Sequence, residues 1–145
     1  MKKLFSVLMV CAFVFLAGCV QPSAPQASPT PEFQGLKGFA QTPDELNGMK
    51  VLYSTSSEDL ALLDANEEFL AYQQGVGGLN KMEFNCANKI AYQENLDQLQ
   101  KAVDKGNEAL PLIQDSDKKQ YWEGFFFGMQ NQKDSFQADL DEVCG

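Results

Sequence analysis

The bulky apolar residues between positions 122 and 144 recur at the spacing of one face of an α-helix. At 100° per residue they occupy an arc of about 100°, the width of a helix face that packs on a core. The members of this stripe are Trp122, Phe125, Phe126, Met129, Phe136, Leu140, Val143 and Cys144. The pattern predicts a long final helix that begins at Asp115 or Ser116 and ends near Val143.

Two earlier segments carry stripes of the same kind. One contains Leu62, Ala65, Phe69, Tyr72 and Val76, and the other contains Tyr92, Leu96, Leu99, Val103 and Leu110. No segment alternates between apolar and polar residues with a period of two for long enough to predict a sheet. We therefore expect an all-α domain, a small bundle of about three helices whose last two form an antiparallel hairpin near residues 111–115.

Glycines and capping residues predict where these helices begin and end. Thr42-Pro43-Asp44-Glu45 is typical of a helix start, and Gly48 predicts that this first helix ends after little more than a turn. Met49 to Tyr53 is then expected to be extended. A glycine cluster predicts that the next helix stops near Gln74, and the one after it is expected to end either at Lys105, before Gly106, or at Leu110. The glycines of that cluster are Gly75, Gly77 and Gly78.

The N-terminus carries a different kind of signal. Lys2 and Lys3 precede an apolar stretch of 13 residues, which is too short to span a bilayer and leads into Leu16-Ala17-Gly18-Cys19. These four residues resemble the lipobox of prokaryotic lipoproteins. The resemblance implies cleavage after residue 18 and a diacylglyceryl group on the Cys19 thiol, so residues 1–18 are a signal peptide. An ordinary signal cleaved elsewhere and an uncleaved anchor are the alternative interpretations.

Residues 19–41 are expected to connect the lipid to the helical domain, which is expected to comprise residues 42–145. Four of the six prolines lie between positions 22 and 31, among serine, glutamine, alanine and threonine. Such a composition buries too little apolar surface to offset its ordering entropy, and it predicts a semi-extended tether. The resemblance places the mature chain outside the cytoplasm, on the outer membrane if the cell has one and otherwise on the cell membrane.

Two cysteines remain for the folded domain, because Cys11 leaves with the signal and Cys19 takes the lipid. Cys86 lies about 25 residues before the predicted hairpin turn and Cys144 about 29 after it, so the two helical arms measure roughly 37 and 43 Å. Both thiols should therefore meet at the open end of the hairpin. We expect a structural disulfide there, since the spacing is not that of a redox-active pair and zinc would want four ligands.

The charge of the chain excludes one class of partner. The sequence has 11 Lys+Arg against 20 Asp+Glu, a formal charge of -9, and it contains no histidine. Loss of Lys2 and Lys3 makes the charge -11. Such a surface repels nucleic acid. The negative charge either serves only to keep the domain soluble or attracts a cationic protein partner. The chain also lacks a histidine base, a nucleophile elbow, a phosphate loop and a set of metal ligands. We therefore expect no enzymatic activity, no bound cofactor and no bound metal.

The densest aromatic stretch is Tyr121 to Gly128. Phe127 points about 140° away from Trp122, so it either packs under the preceding helix or forms with Tyr121 an exposed contact patch for a protein partner. Gly124 and Gly128 have the spacing that lets two helices approach closely, and we expect them near Ala91 or Ala102.

The function that these features favour is a non-enzymatic, lipid-anchored lipoprotein that acts through protein contacts at the cell envelope. One alternative is a ligand-binding module with an aromatic pocket. Its lining would be Tyr72, Tyr92, Trp122 and Phe125. The other alternative is an acidic binder or inhibitor of cationic proteins.

Overall fold

The computed structural model of the chain describes residues 33–145. The signal peptide, the lipidated Cys19 and the proline-rich part of the predicted tether lie outside these residues. The described part is helical and has no strand, which confirms the predicted all-α class.

Four α-helices and two 3₁₀ turns make up the fold of residues 33–145. The helices are α1 (Pro43–Leu52), α2 (Ser57–Leu79), α3 (Lys89–Ala109) and α4 (Ser116–Cys144). The 3₁₀ turns, Cys86–Asn88 and Leu110–Leu112, precede and follow α3. The prediction of about three helices is therefore wrong by one, because α1 is a full helix of 10 residues.

Helix α1 continues through the glycine that was expected to end it. The Thr42 side chain accepts a hydrogen bond from the Glu45 N–H and caps the helix, and Leu46 is buried in the core. Gly48 costs a helix only about 1 kcal/mol relative to alanine. Burial of Leu46 and packing of Met49 offset that cost, and the segment that was expected to be extended is helical.

The glycine cluster does not end α2, and α3 ends close to Leu110, the later of the two predicted ends, rather than at Gly106. Helix α2 runs through its glycine cluster to Leu79, and α3 continues past Gly106 to Ala109. At Gly106 an added Cβ would overlap the ring of Phe126 on α4. This glycine therefore lets two helices approach closely, and the sequence signal for a stop was in fact a packing requirement.

Helices α3 and α4 form the predicted antiparallel hairpin. The Gln93 and Gln137 amides bond to each other at 3.0 and 3.1 Å, and Gln100 donates to Gln130 at 3.3 Å. Seven residues forward along α3 thus correspond to seven residues backward along α4. Helix α3 also packs closely on α2, through contacts such as the hydrogen bond from Gln98 to Glu68.

The core has two parts. The larger cluster contains the apolar faces of all four helices, with Leu62, Leu99 and Trp122 fully buried. The smaller cluster lies toward the C-terminal end of α4, where Phe84 and Phe136 pack against Tyr92, Leu96 and Leu140. Helices α3 and α4 contribute residues to both clusters, so the two clusters belong to one bundle.

A segment before α1 belongs to the core as well. Residues 33–41, which we call the strap, were expected to be part of the tether, yet Phe33, Leu36, Phe39 and Ala40 are buried. The packed domain therefore begins before residue 42. Burial of apolar residues at every third position, Phe33, Leu36 and Phe39, offsets the entropy cost of ordering the strap.

Candidate functional site

The largest polar arrangement in the described residues is the set of α2 and α4 side chains that bind the strap. We call this binding site the seat of the strap. The Asp59 carboxylate accepts a hydrogen bond from the Leu36 N–H at 2.9 Å. Asn66 accepts from the Ala40 N–H at 2.7 Å and donates to the Ala40 carbonyl at 3.1 Å. Both α2 side chains are buried and both bind the main chain of the strap.

Helix α4 binds the same segment from the other side. The Trp122 indole N–H donates to the Leu36 carbonyl at 3.3 Å, and the Tyr121 hydroxyl donates to the Lys37 carbonyl at 3.0 Å. The Tyr121 ring also lies 5.4 Å from the ring of Phe33, measured between centroids. The strap is therefore held by hydrogen bonds to its peptide groups and by burial of its apolar side chains.

A buried ion cluster lies beneath the strap. The Lys118 side chain is only 1% exposed, and its Nζ donates to Asp59 Oδ1 at 2.8 Å and to Glu58 Oε1. Above it, Gly35 has a φ of 94°, and an added Cβ there would lie 2.7 Å from Lys118 Nζ. Only glycine satisfies both the left-handed backbone and the lack of space at this position.

Local capping places these charges together. Ser56 caps α2 by accepting from the Asp59 N–H at 3.2 Å, which fixes the first turn that carries both carboxylates. Asp115 caps α4 by accepting from the Lys118 N–H at 2.9 Å. The N-terminal turns of α2 and α4 therefore meet, and Lys118 neutralises two carboxylates that lie beside one another.

The pKa values of the cluster reflect this pairing. Burial alone would raise the pKa of Asp59, but hydrogen bonds from Lys118 and the Leu36 N–H hold it below its usual value. Burial likewise would lower the pKa of Lys118, and its bonds to Asp59 and Glu58 raise it above the usual value instead. Both groups are therefore charged at neutral pH, and each depends on the other for its burial.

The seat of the strap is not evident from the sequence, although one signal for it is present there. Asp59 and Asn66 are seven residues apart on α2 and interrupt its buried stripe, and Lys118 precedes Trp122 by one helical turn. Polar residues at core-facing positions of a helix are buried only when they find partners. That rule predicts three buried polar groups, but it does not reveal that the strap is their common partner.

The two cysteines meet at the opposite end of the hairpin, as its geometry predicted. The Cys86 and Cys144 side chains lie 2.6 Å apart. This exceeds the roughly 2.05 Å of a disulfide, and both residues are free thiols in the structure. A hydrogen bond with Cys86, together with burial, raises the pKa of the Cys144 thiol. The structure thus confirms the juxtaposition but not the bond.

The two residues of the predicted contact patch have different environments. Phe127 is 68% exposed, so the interpretation that it packs under α3 is wrong. Tyr121 is 36% exposed and is bound to the strap. They are six positions apart in the sequence, which places them about 120° apart around α4, so they do not form one patch. Gly124 and Gly128 face open space, and their expected packing near Ala91 or Ala102 is also wrong.

The four residues of the predicted aromatic pocket are divided between the two core clusters. Tyr92 belongs to the smaller core cluster, whereas Trp122 is fully buried in the larger one with Phe125 and Tyr72 at its margin. Within residues 33–145 no three His, Cys, Asp or Glu side chains are grouped so that they could hold a metal ion.

None of the helices within the described range has the length and apolar character that crossing a bilayer requires. In comparisons with known proteins, no family model matches the chain, and no curated protein or solved structure matches it either.

Proposed function

We propose that this chain is a lipid-anchored, extracytoplasmic lipoprotein whose helical domain has no enzymatic role and acts through protein contacts at the cell envelope. The observation that carries the proposal is the lipobox-like Leu16-Ala17-Gly18-Cys19 after two lysines and a short apolar run. An acylated Cys19 would secure the chain to a membrane, because two or more acyl chains are enough for stable anchoring.

The strap supports this proposal by connecting the anchor to the core. Residues 19–32, extended at about 3.1 Å per residue, would place the domain up to about 43 Å from the bilayer. The chain then enters the domain at Phe33, which is buried against Tyr121.

We also propose that Cys86 and Cys144 form a disulfide in that compartment. Their contact across the open end of α3 and α4 supports this pairing. In the oxidation, each thiol loses a proton and the pair transfers two electrons to a disulfide-bearing thiol oxidase. The bond closes a loop of 58 residues and would stabilise the hairpin by about 4 kcal/mol in the chain-entropy model.

The partner-contact surface of this proposal is the exposed face of α4 around Phe127. The exposed residues of α4 within one helical turn of Phe127 are Glu123, Gly124, Gly128 and Asn131, and only the first of these is charged. An exposed aromatic ring with mostly uncharged neighbours is suited to a protein contact.

Lipidation is tested by comparing the wild type with Cys19→Ala in cells. We expect the wild type to partition into the detergent phase of Triton X-114 and to carry the mass of a diacylglyceryl group on residue 19. Cys19→Ala should partition into the aqueous phase. A wild-type product with an unmodified thiol at residue 19 would reject the anchoring proposal.

The contact surface is tested with a photo-crosslinking amino acid at position 127 in intact cells. Position 51 is the matched control, since Val51 is also an exposed apolar helix residue, with 76% of its surface accessible. We expect a discrete protein adduct from position 127 and none of that mass from position 51. Identical adducts from both positions, or no adduct from position 127, would argue against this surface.

A further inference from the structure

We infer that the exposed Cys86 is the site at which a partner with an exchangeable disulfide becomes covalently attached, and that Cys144 is the thiol that then releases this partner. The inference rests on the proposed disulfide between Cys86 and Cys144. It deepens that proposal because it assigns a different role to each cysteine and an order to the two steps of bond formation.

The two thiols differ in their access to solvent. Cys86 begins the 3₁₀ turn Cys86–Asn88 and is exposed, as is the neighbouring Ala87. Cys144 is only partly exposed and packs against the smaller core cluster at the end of α4. Thiol–disulfide exchange requires that the attacking sulfur reach the disulfide, so an oxidant of protein size meets Cys86 first.

The surroundings of Cys144 disfavour its thiolate. Cys144 is the last residue of α4, at the negative end of the helix dipole, and the last turn contains no basic residue. Its hydrogen bond with Cys86 is the main cause that raises the pKa of the Cys144 thiol, and burial and the Asp141 carboxylate act in the same direction. Lys89 acts in the opposite direction, but its effect is outweighed. Cys144 is therefore the poorer nucleophile for the first step.

Cys144 is nevertheless well placed for the second step. Its side chain lies 2.6 Å from that of Cys86. The Gly145 N–H donates to the Asp141 carbonyl at 2.7 Å, which keeps α4 helical up to Cys144, and Lys89 pairs with the Asp141 carboxylate at 3.9 Å. A thiol fixed beside the mixed disulfide reacts as an intramolecular group, and its high effective concentration offsets its smaller thiolate fraction.

The two steps balance in atoms and electrons. In the first, the Cys86 thiolate attacks one sulfur of the partner's disulfide, that disulfide breaks, and its other sulfur leaves and takes up the proton lost by Cys86. In the second, Cys144 loses its proton and attacks the Cys86 sulfur, the mixed disulfide breaks, and the partner's remaining sulfur leaves and takes up that proton. Two electrons and two protons pass to the partner, whose disulfide becomes two thiols.

The experiment uses the full-length protein, reduced and desalted, with 2-hydroxyethyl disulfide as an uncharged probe. Cys144→Ser retains only Cys86 of the pair and Cys86→Ser retains only Cys144, so each variant is the matched control for the other. Peptide mass mapping assigns every adduct to its cysteine. We expect Cys86 in Cys144→Ser to be modified at least tenfold faster than Cys144 in Cys86→Ser. In concentrated urea the difference should fall to about threefold or less, because the fold sets it.

The wild type tests the second step and the proposed disulfide. Its final product should contain the bond between Cys86 and Cys144 and no retained probe. Equal rates in the two variants, or faster modification of Cys144, would overturn the inference, while a closed bond in the wild type would leave the proposed disulfide standing. A tenfold difference that persists in urea would assign it to the local sequence and would also overturn the inference. Probe retained on Cys86 of the wild type would overturn both.

Discussion

Replacing Lys118 by methionine tests whether the buried ion cluster stabilises the domain as described. Methionine keeps an unbranched side chain one atom shorter and removes the ammonium that pairs with Asp59 at 2.8 Å and with Glu58. Asp59 is buried, so its charge would be left without a cation. Removing one partner of a buried ion pair costs about 3–5 kcal/mol.

The measurement is urea unfolding followed by the fluorescence of Trp122, which is fully buried against the strap. With an m-value of about 1.5 kcal/mol/M, the loss lowers the midpoint by about 2–3 M. Lys105→Met is the control, because its pairing with Glu108 at 3.2 Å is exposed, and its effect should stay within about 0.5 kcal/mol.

The pH dependence of the same variant gives an independent check. In the wild type the lowered pKa of Asp59 contributes stability that is present above about pH 4 and is lost as the pH falls through the folded-state value. The raised pKa of Lys118 contributes stability that is present below about pH 10 and is lost at higher pH. The wild type should therefore be most stable between these limits.

In Lys118→Met the unpaired Asp59 avoids the cost of a buried charge by taking up a proton. The stability difference from the wild type should therefore be smaller at pH 4.5 than at pH 7, by about 1 kcal/mol or more. A loss below about 1 kcal/mol at pH 7, or the same loss at both pH values, would refute this account of the cluster.

Two further predictions concern packing and the cysteine pair. Gly106→Ala should lose about 1–3 kcal/mol because its Cβ overlaps the Phe126 ring, whereas Gly124→Ala should gain about 0.5–1 kcal/mol because it lies in an exposed helix with open space around it. Urea midpoints that move in the same direction for both variants would contradict this contrast. Dithiothreitol should lower the unfolding free energy of the protein purified from an oxidising compartment by about 4 kcal/mol, and Cys144→Ser should match the reduced protein. An unfolding curve that does not respond to reduction would exclude a stabilising bond between Cys86 and Cys144.

Sequence alone determined the helical class and the geometry of the hairpin. The stripes that contain Leu99 and Trp122 have a period that only a helix can place on one face, and that property is local. The meeting of Cys86 and Cys144 followed from the rise of 1.5 Å per residue along two arms of similar length. Both results depend on geometry within one or two helices.

The positions of the glycines were misinterpreted because glycine has two roles that look alike in a sequence. It ends helices through its backbone freedom, and it lets helices approach through its lack of a side chain. Gly106 has the second role, which requires Phe126 on another helix. Gly48 has neither role, since burial of Leu46 nearby carries α1 through it.

The seat of the strap was decided only by the tertiary structure. Asp59 lies 59 positions before Lys118 and 23 after Leu36, and no local pattern connects residues at such separations. The strap was assigned to the tether, yet side chains of α2 and α4 bind its peptide groups. Periodicity fixes which face of a helix is buried, but only the packed structure determines which segment covers that face.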